Sequence, residues 1–136
     1  MGYLLDTNIL SELRKGPRCN AGVADWFSGV EGDELYLSVL VLGEIQRGAD
    51  RVRRRDAGSA AALDSWLDSV THTYRERILP VTLPVARLWG SFGVPDPIST
   101  VDGLLAATAQ THGLTLVTRN AKDVASTGVQ TLNPFS

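Results

Sequence analysis

The chain has 136 residues, 43% of them hydrophobic and 21% charged, with a formal net charge of -2 and a single cysteine. That length fits one compact domain, spanning 1–136, with a continuous core and little room for a second. Cys19 has no intrachain disulfide partner, and the longest apolar stretch, 35–43, is too short to cross a bilayer and contains Ser38.

The segment from Met1 to Leu5 lacks a basic region and runs into Asp6, so it does not read as a secretory signal. Asp6 also stands where a myristoylation motif wants Ser or Thr. One isolated cysteine suits a reducing compartment, and a cytoplasmic location is the expectation. Cys19 sits in a polar stretch and reads as an incidental thiol.

Short apolar runs alternate with longer amphipathic ones, which predicts an α/β domain with a mostly parallel sheet. Tyr3–Leu5 reads as a buried first strand ending at Asp6. Asn8–Lys15 carries Ile9, Leu10 and Leu13 at helical spacing and stops at Gly16-Pro17. Ala21–Val30 is a second short helix, and Leu35–Leu37 a second strand. Ser38 is placed to cap a helix running through Val41, Glu44, Ile45 and Gly48.

Arg51–Arg55 reads as a basic turn, followed by a long helix over Ala60–Arg77 with Leu63, Trp66, Leu67, Val70 and Tyr74 on one face. Ile78–Val81 is a short strand, and Pro84–Phe92 a helix with Pro84 in its first turn. Pro95-Asp96-Pro97 predicts a stiff loop. Ser99 or Thr100 caps a helix ending near His112-Gly113. Leu114–Val117 and Val129–Leu132 complete a sheet of four to five strands.

Four acids stand out by position. Asp6 follows the carboxyl end of the first strand, where parallel sheets bind ligands, and it would also cap the helix from Asn8. Glu44 lies beside an apolar stripe, where a carboxylate needs a partner: Arg47 or a cation. Asp102 sits in the first turn of its helix, where the dipole favours an anion. Asp123 follows the strand ending at Val117 by a short polar loop. Carboxylates gathered at one pole repel each other, and a divalent cation relieves that cost. Oxygen ligands without His or Cys favour Mg²⁺ or Mn²⁺ over Zn²⁺. With four of the 15 acids set aside as ligands, the remaining 11 face 13 Lys and Arg, so the bulk charge does not exclude a nucleic-acid partner.

Four segments carry a family resemblance. Leu4-Leu5-Asp6-Thr7-Asn8-Ile9-Leu10, the stretch from Ser38 to Glu44-Ile45, Asp102-Gly103-Leu104-Leu105-Ala106-Ala107-Thr108-Ala109, and Leu116-Val117-Thr118-Arg119-Asn120-Ala121-Lys122-Asp123 resemble, in order and spacing, the motifs of PIN domains. Length and spelling are similar to the VapC-type toxins of toxin–antitoxin pairs, including the FitB-like branch. The resemblance implies a three-layer α/β/α fold and a Mg²⁺- or Mn²⁺-dependent endoribonuclease. Asp6, Glu44, Asp102 and Asp123 fall on the family's acidic, metal-holding positions, and Thr7, Asn8, Thr118 and Asn120 on positions that support the site. It also implies a homodimer silenced by an antitoxin that docks on the helices from Ser38 onward and over 60–77.

The basic residues Arg47, Arg51, Arg53, Arg54 and Arg55 are candidates for RNA phosphate contacts or a solvated helix end. Arg119 and Lys122 flank the fourth motif and are candidates for the bound phosphate. Trp26, Trp66 and Trp89 read as core or interface residues. His72 and His112 lack metal-pair spacing. Two other functions compete. One is a catalytically silent module of the same fold that binds RNA or protein. The other is a phosphatase of the haloacid dehalogenase type, which wants a second Asp two residues after the first, where this chain has Asn8.

Overall fold

A computed structural model describes residues 1–92 and 98–136. The expected Pro95-Asp96-Pro97 loop lies outside the described residues. The elements follow in the order β1 (Tyr3–Leu5), α1 (Thr7–Arg14), α2 (Ala21–Ser28), β2 (Leu35–Ser38), α3 (Val39–Arg53), α4 (Ala57–Thr73), β3 (Ile78–Leu79), α5 (Leu83–Gly90), α6 (Thr100–Thr111), β4 (Thr115–Val117) and β5 (Thr131–Leu132). Short 3₁₀ turns cover Gly16–Arg18, Gly32–Glu34 and Ala121–Thr127.

All five strands run parallel in the order β3-β2-β1-β4-β5, with Tyr3 opposite both Leu35 and Thr115. The strands are apolar runs because both faces are covered: consecutive Leu4 and Leu5 are each fully buried, as are Leu37 and Val117. From β1 the chain steps outward to β2 and β3, then crosses back to β4 and β5 on the other side. Right-handed crossovers therefore put α1 to α4 on one face and α5 and α6 on the other. The packing agrees, with α3 against α4 and α5 against α6. The order in which strands are added reverses between β1 and β4, and the crevice beyond their carboxyl ends is where open α/β sheets hold ligands.

Local signals explain most boundaries. Ser38 caps α3 by accepting from the Leu40 N–H at 3.1 Å, and Ser99 caps α6 by accepting from the Asp102 N–H at 3.2 Å. Two expectations are corrected. Arg51–Arg53 is not a turn but the last turn of α3. The buried stripe Val41, Ile45, Ala49 continues into half-buried Val52, and Arg53 is clamped by Asp50 and Asp64, each at 2.9 Å. The long helix occupies 57–73 rather than 60–77, because Asp56 caps it through the Ser59 N–H at 3.0 Å. It stops where Arg77 folds back over the Tyr74 ring and donates through Nε to the Leu35 carbonyl at 2.8 Å.

Gly103 marks a close approach between α5 and α6. A Cβ there would lie 2.8 Å from Cδ1 of Trp89, so the glycine lets the indole cross α6 directly behind Asp102. Trp26 and Trp66 pack against the core, as expected. Among the described residues no helix is long and apolar enough to cross a membrane.

Candidate active site at the carboxyl ends of β1 and β4

Asp6 ends β1 and serves both as helix cap and as the centre of the crevice. Its carboxylate accepts from the Thr7 N–H at 2.7 Å, the Thr118 hydroxyl at 2.8 Å and the Asn8 amide at 3.3 Å. Thr118 closes β4 and is 1% exposed, so the bond between Asp6 and Thr118 joins the two strands at the point where the topology reverses. Asp6 itself is 7% exposed. Burial pushes its carboxyl above the usual aspartate range, the Thr118 and Thr7 bonds oppose that rise, and the negative charges of Asp102 and Glu44 add to it.

Glu44 and Asp102 reach this crevice from opposite layers. Glu44 is exposed on α3 and accepts from the Thr7 hydroxyl at 2.5 Å. The alternative partner suggested by spacing, Arg47, does not pair with it. Asp102 lies in the first turn of α6, half-buried. A cleft of about 520 Å³ lined by Thr7, Glu44, Arg47, Arg51 and Val101 runs between α3 and the start of α6.

Asp123 stands apart. It sits exposed in the 3₁₀ turn after β4 and is not among the charges acting on Asp6. Among the described residues no three His, Cys, Asp or Glu side chains are close enough to clasp an ion between them. Three of the four acids therefore share one electrostatic neighbourhood without touching, and like-charge repulsion opposes closer approach. The supporting residues differ in the same way. Thr7, Asn8 and Thr118 bond directly to the acids, whereas Asn120 offers only its backbone N–H, to the Thr118 hydroxyl at 3.0 Å.

The continuation of α3 through Arg53 changes the reading of the basic stretch. Arg47, Arg51 and Arg54 fall along one face and line a shallow second depression with Asp50. Arg53 is turned away into its ion pairs. Arg119 and Lys122 line a separate cleft of about 480 Å³ with Asn120, Asp123, Asn133 and Phe135. Phe135 was not expected at a site, although the tail Asn133-Pro134-Phe135-Ser136 resembles the family's, because its contact with Arg119 depends on the return of the C-terminal tail.

The PIN domain family profile matches residues 3–127 of this chain. The chain belongs to the PIN domain family. It is 30% identical to Toxin FitB of Neisseria gonorrhoeae over 138 residues, covering 97% of each chain. It is 28% identical to VapC ribonuclease Y4jK of Sinorhizobium fredii over 139 residues, covering 97% of this chain and 96% of the relative. The fold superposes on a FitAB structure bound to an IR36 DNA fragment with a TM-score of 0.87 at 28% identity, covering 98% of this chain and 96% of that one. The chain's PIN-domain and VapC-type resemblance is thereby established, along with the parallel five-stranded α/β fold.

Proposed function

We propose that this PIN domain is a Mg²⁺- or Mn²⁺-dependent endoribonuclease acting as the toxin of a toxin–antitoxin pair. The observation that carries this reading is the Asp6 carboxylate, buried at the sheet's switch point, oriented by Thr7, Asn8 and Thr118, and raised by its burial and by the charges of Glu44 and Asp102. A relative named a ribonuclease and another named a toxin support it.

The donor set is hard oxygen throughout, which suits Mg²⁺ or Mn²⁺. Mg²⁺ keeps several of its waters and is held through one or two carboxylates plus substrate phosphate, so acids spaced beyond direct contact fit a hydrated ion. Asp6, Glu44 and Asp102 are the residues that would hold it, with Asp123 approaching from the β4 side. When bound, the ion shields the phosphoryl oxygens and makes water a better nucleophile for in-line attack. Thr118 and Asn8 fix the Asp6 oxygens against rotation. Glu44, exposed at the cleft mouth and steadied by Thr7, is placed to take a proton from the attacking water. Arg47 on the α3 side, and Arg119 and Lys122 on the β4 side, contact the RNA.

Cleavage-end mapping on total RNA, comparing wild type with Asp6→Asn, tests this reading. Mg²⁺-dependent cuts that leave 5′-phosphates and vanish in the variant are expected. Equal cutting by both proteins removes Asp6 from the mechanism, and RNA binding without any cutting leaves a silent module.

The antitoxin is proposed to lie along the α3 cleft, where Val39 is 41% exposed beside Leu40, presenting a basic side chain to the acids. The homodimer is proposed through α5, which exposes Leu83 and Trp89. Sedimentation of the isolated chain as a monomer would contradict the latter.

A further inference from the structure

The α3 cleft, which includes Thr7 and Glu44, and the cleft after β4, which includes Arg119 and Asp123, differ in chemistry. Among the described residues the α3 side offers arginines, aliphatic side chains, Thr7 and the carboxylates of Glu44 and Asp50, without an aromatic ring. The β4 side combines an aromatic ring, a guanidinium, an ammonium group, two carboxamides and the Asp123 carboxylate around about 480 Å³, a volume in the range that takes a small ligand. Rings and guanidinium planes stack on unpaired bases, while carboxamides pair with base edges.

Several bonds hold this cleft in shape. The Arg119 guanidinium lies 4.7 Å from the centre of the Phe135 ring. The Phe135 N–H donates to Asn133 Oδ1 at 3.1 Å, and the Asn133 amide reaches the Arg119 carbonyl at 3.5 Å. Ser136 anchors the tail, its N–H donating to Asn20 Oδ1 at 3.1 Å and its hydroxyl accepting from the Gly22 N–H at 3.1 Å. A side chain at Gly22 would collide with the Pro134 carbonyl, so that close seating needs glycine.

The groups facing the cleft are largely unspent. Among the described residues neither Arg119 nor Lys122 enters an ion pair. The Asn120 carboxamide is exposed and makes no hydrogen bond within the described protein, so a donor and an acceptor remain side by side. The cleft is also wired to the buried carboxylate. Asn8 accepts from the Arg119 N–H at 3.1 Å and donates to Asp6.

We infer that the cleft between Asn120 and Phe135 is a nucleobase subsite. It takes one unstacked base of single-stranded RNA next to the scissile phosphate, and so sets the cleavage-site preference. The base stacks on the Arg119–Phe135 pair, the Asn120 carboxamide reads its edge, and Lys122 meets the adjoining phosphate. A duplex is excluded as substrate because its bases are not free to stack outward. This inference rests on the ribonuclease reading, but it has its own readout.

Fluorescence anisotropy with labelled hexamers of A, C, G and U measures binding to full-length Asp6→Asn protein, which is expected to bind without cutting. Phe135→Ala and Phe135→Leu in that background should each weaken the preferred hexamer by about tenfold, and Phe135→Tyr should restore it. Phe135→Leu keeps apolar packing, so retained melting temperature with lost binding separates stacking from support. Asn120→Ala should change the order of preference among the four hexamers and, in active protein, the distribution of cut sites. Parent-like affinity in Phe135→Leu, or an unchanged order in Asn120→Ala, overturns the subsite. Base-selective binding that depends on Phe135, in a wild type that never cuts, sinks the nuclease reading and leaves the subsite standing.

Discussion

Asp6 and Glu12 lie on the same strand–helix unit, and each is 7% exposed. Their surroundings are opposite. Glu12 accepts from the Lys15 ammonium at 3.0 Å and the Asn20 N–H at 2.7 Å, which hold its carboxyl below the usual glutamate range. Among the described residues Asp6 enters no ion pair; burial and the negative charges of Asp102 and Glu44 outweigh its hydrogen bonds. Burial alone therefore does not mark a site. A buried acid whose neighbours share its sign is held at a cost, and such costs concentrate where function needs them. Glu12 is the satisfied acid that ties α1 to the start of α2.

The largest effect is expected at the bond between Asp6 and Thr118. Thr118→Val keeps the shape of a fully covered side chain and removes the hydroxyl that fixes the carboxylate. Cleavage or Mg²⁺ affinity should fall about 10- to 100-fold, in the range of outer-shell changes at metal sites. Single-turnover rates at varied Mg²⁺ measure it, and wild-type rates would show that Asp6 needs no orientation. Gly103→Ala tests the frame that carries Asp102. The added methyl group meets the Trp89 ring, and a loss of about 1–3 kcal/mol in urea unfolding is expected. Unchanged stability would mean that Trp89 yields freely.

Smaller effects sharpen the comparison through pH. Glu12 stabilises the fold above its unfolded-state pKa, and that contribution is lost as pH falls through its lowered folded value. Glu12→Gln should therefore melt below wild type at neutral pH and converge with it in acid. Asp6 has the opposite sign. Its raised pKa means that folding is favoured while it is protonated, and the penalty appears as pH rises through the window between the usual aspartate value and its raised folded value. Asp6→Asn should melt above wild type at neutral pH in the presence of a chelator, with the gap closing in acid. Parallel melting curves for the two variants across pH would erase the distinction.

Much of the architecture was legible because its signals are local. The runs at Tyr3–Leu5, Leu35–Leu37 and Leu116–Val117 are apolar on consecutive residues, as strands covered on both faces must be. Ser38 and Ser99 announce their helices. What stayed hidden depends on partners distant in sequence. Arg51–Arg53 looks like a basic turn until Asp64 of α4 clamps Arg53. Glu12 gains its partner only where the chain returns at Asn20. Phe135 looks like a tail residue until Ser136 seats on Asn20 and brings the ring under Arg119. The four acids were visible by position, but their grouping was not. The charges of Glu44 and Asp102 act on Asp6, while Asp123 lies in the neighbouring cleft.

Thermal unfolding with and without Mg²⁺, on wild type, Asp6→Asn and Glu12→Gln, tests the central claim most directly. Wild type and Glu12→Gln should gain melting temperature with added Mg²⁺, saturating as binding to the folded state does, and Asp6→Asn should not respond. An equal Mg²⁺ response in Asp6→Asn and wild type would mean that the crevice at β1 and β4 is not where the cation binds.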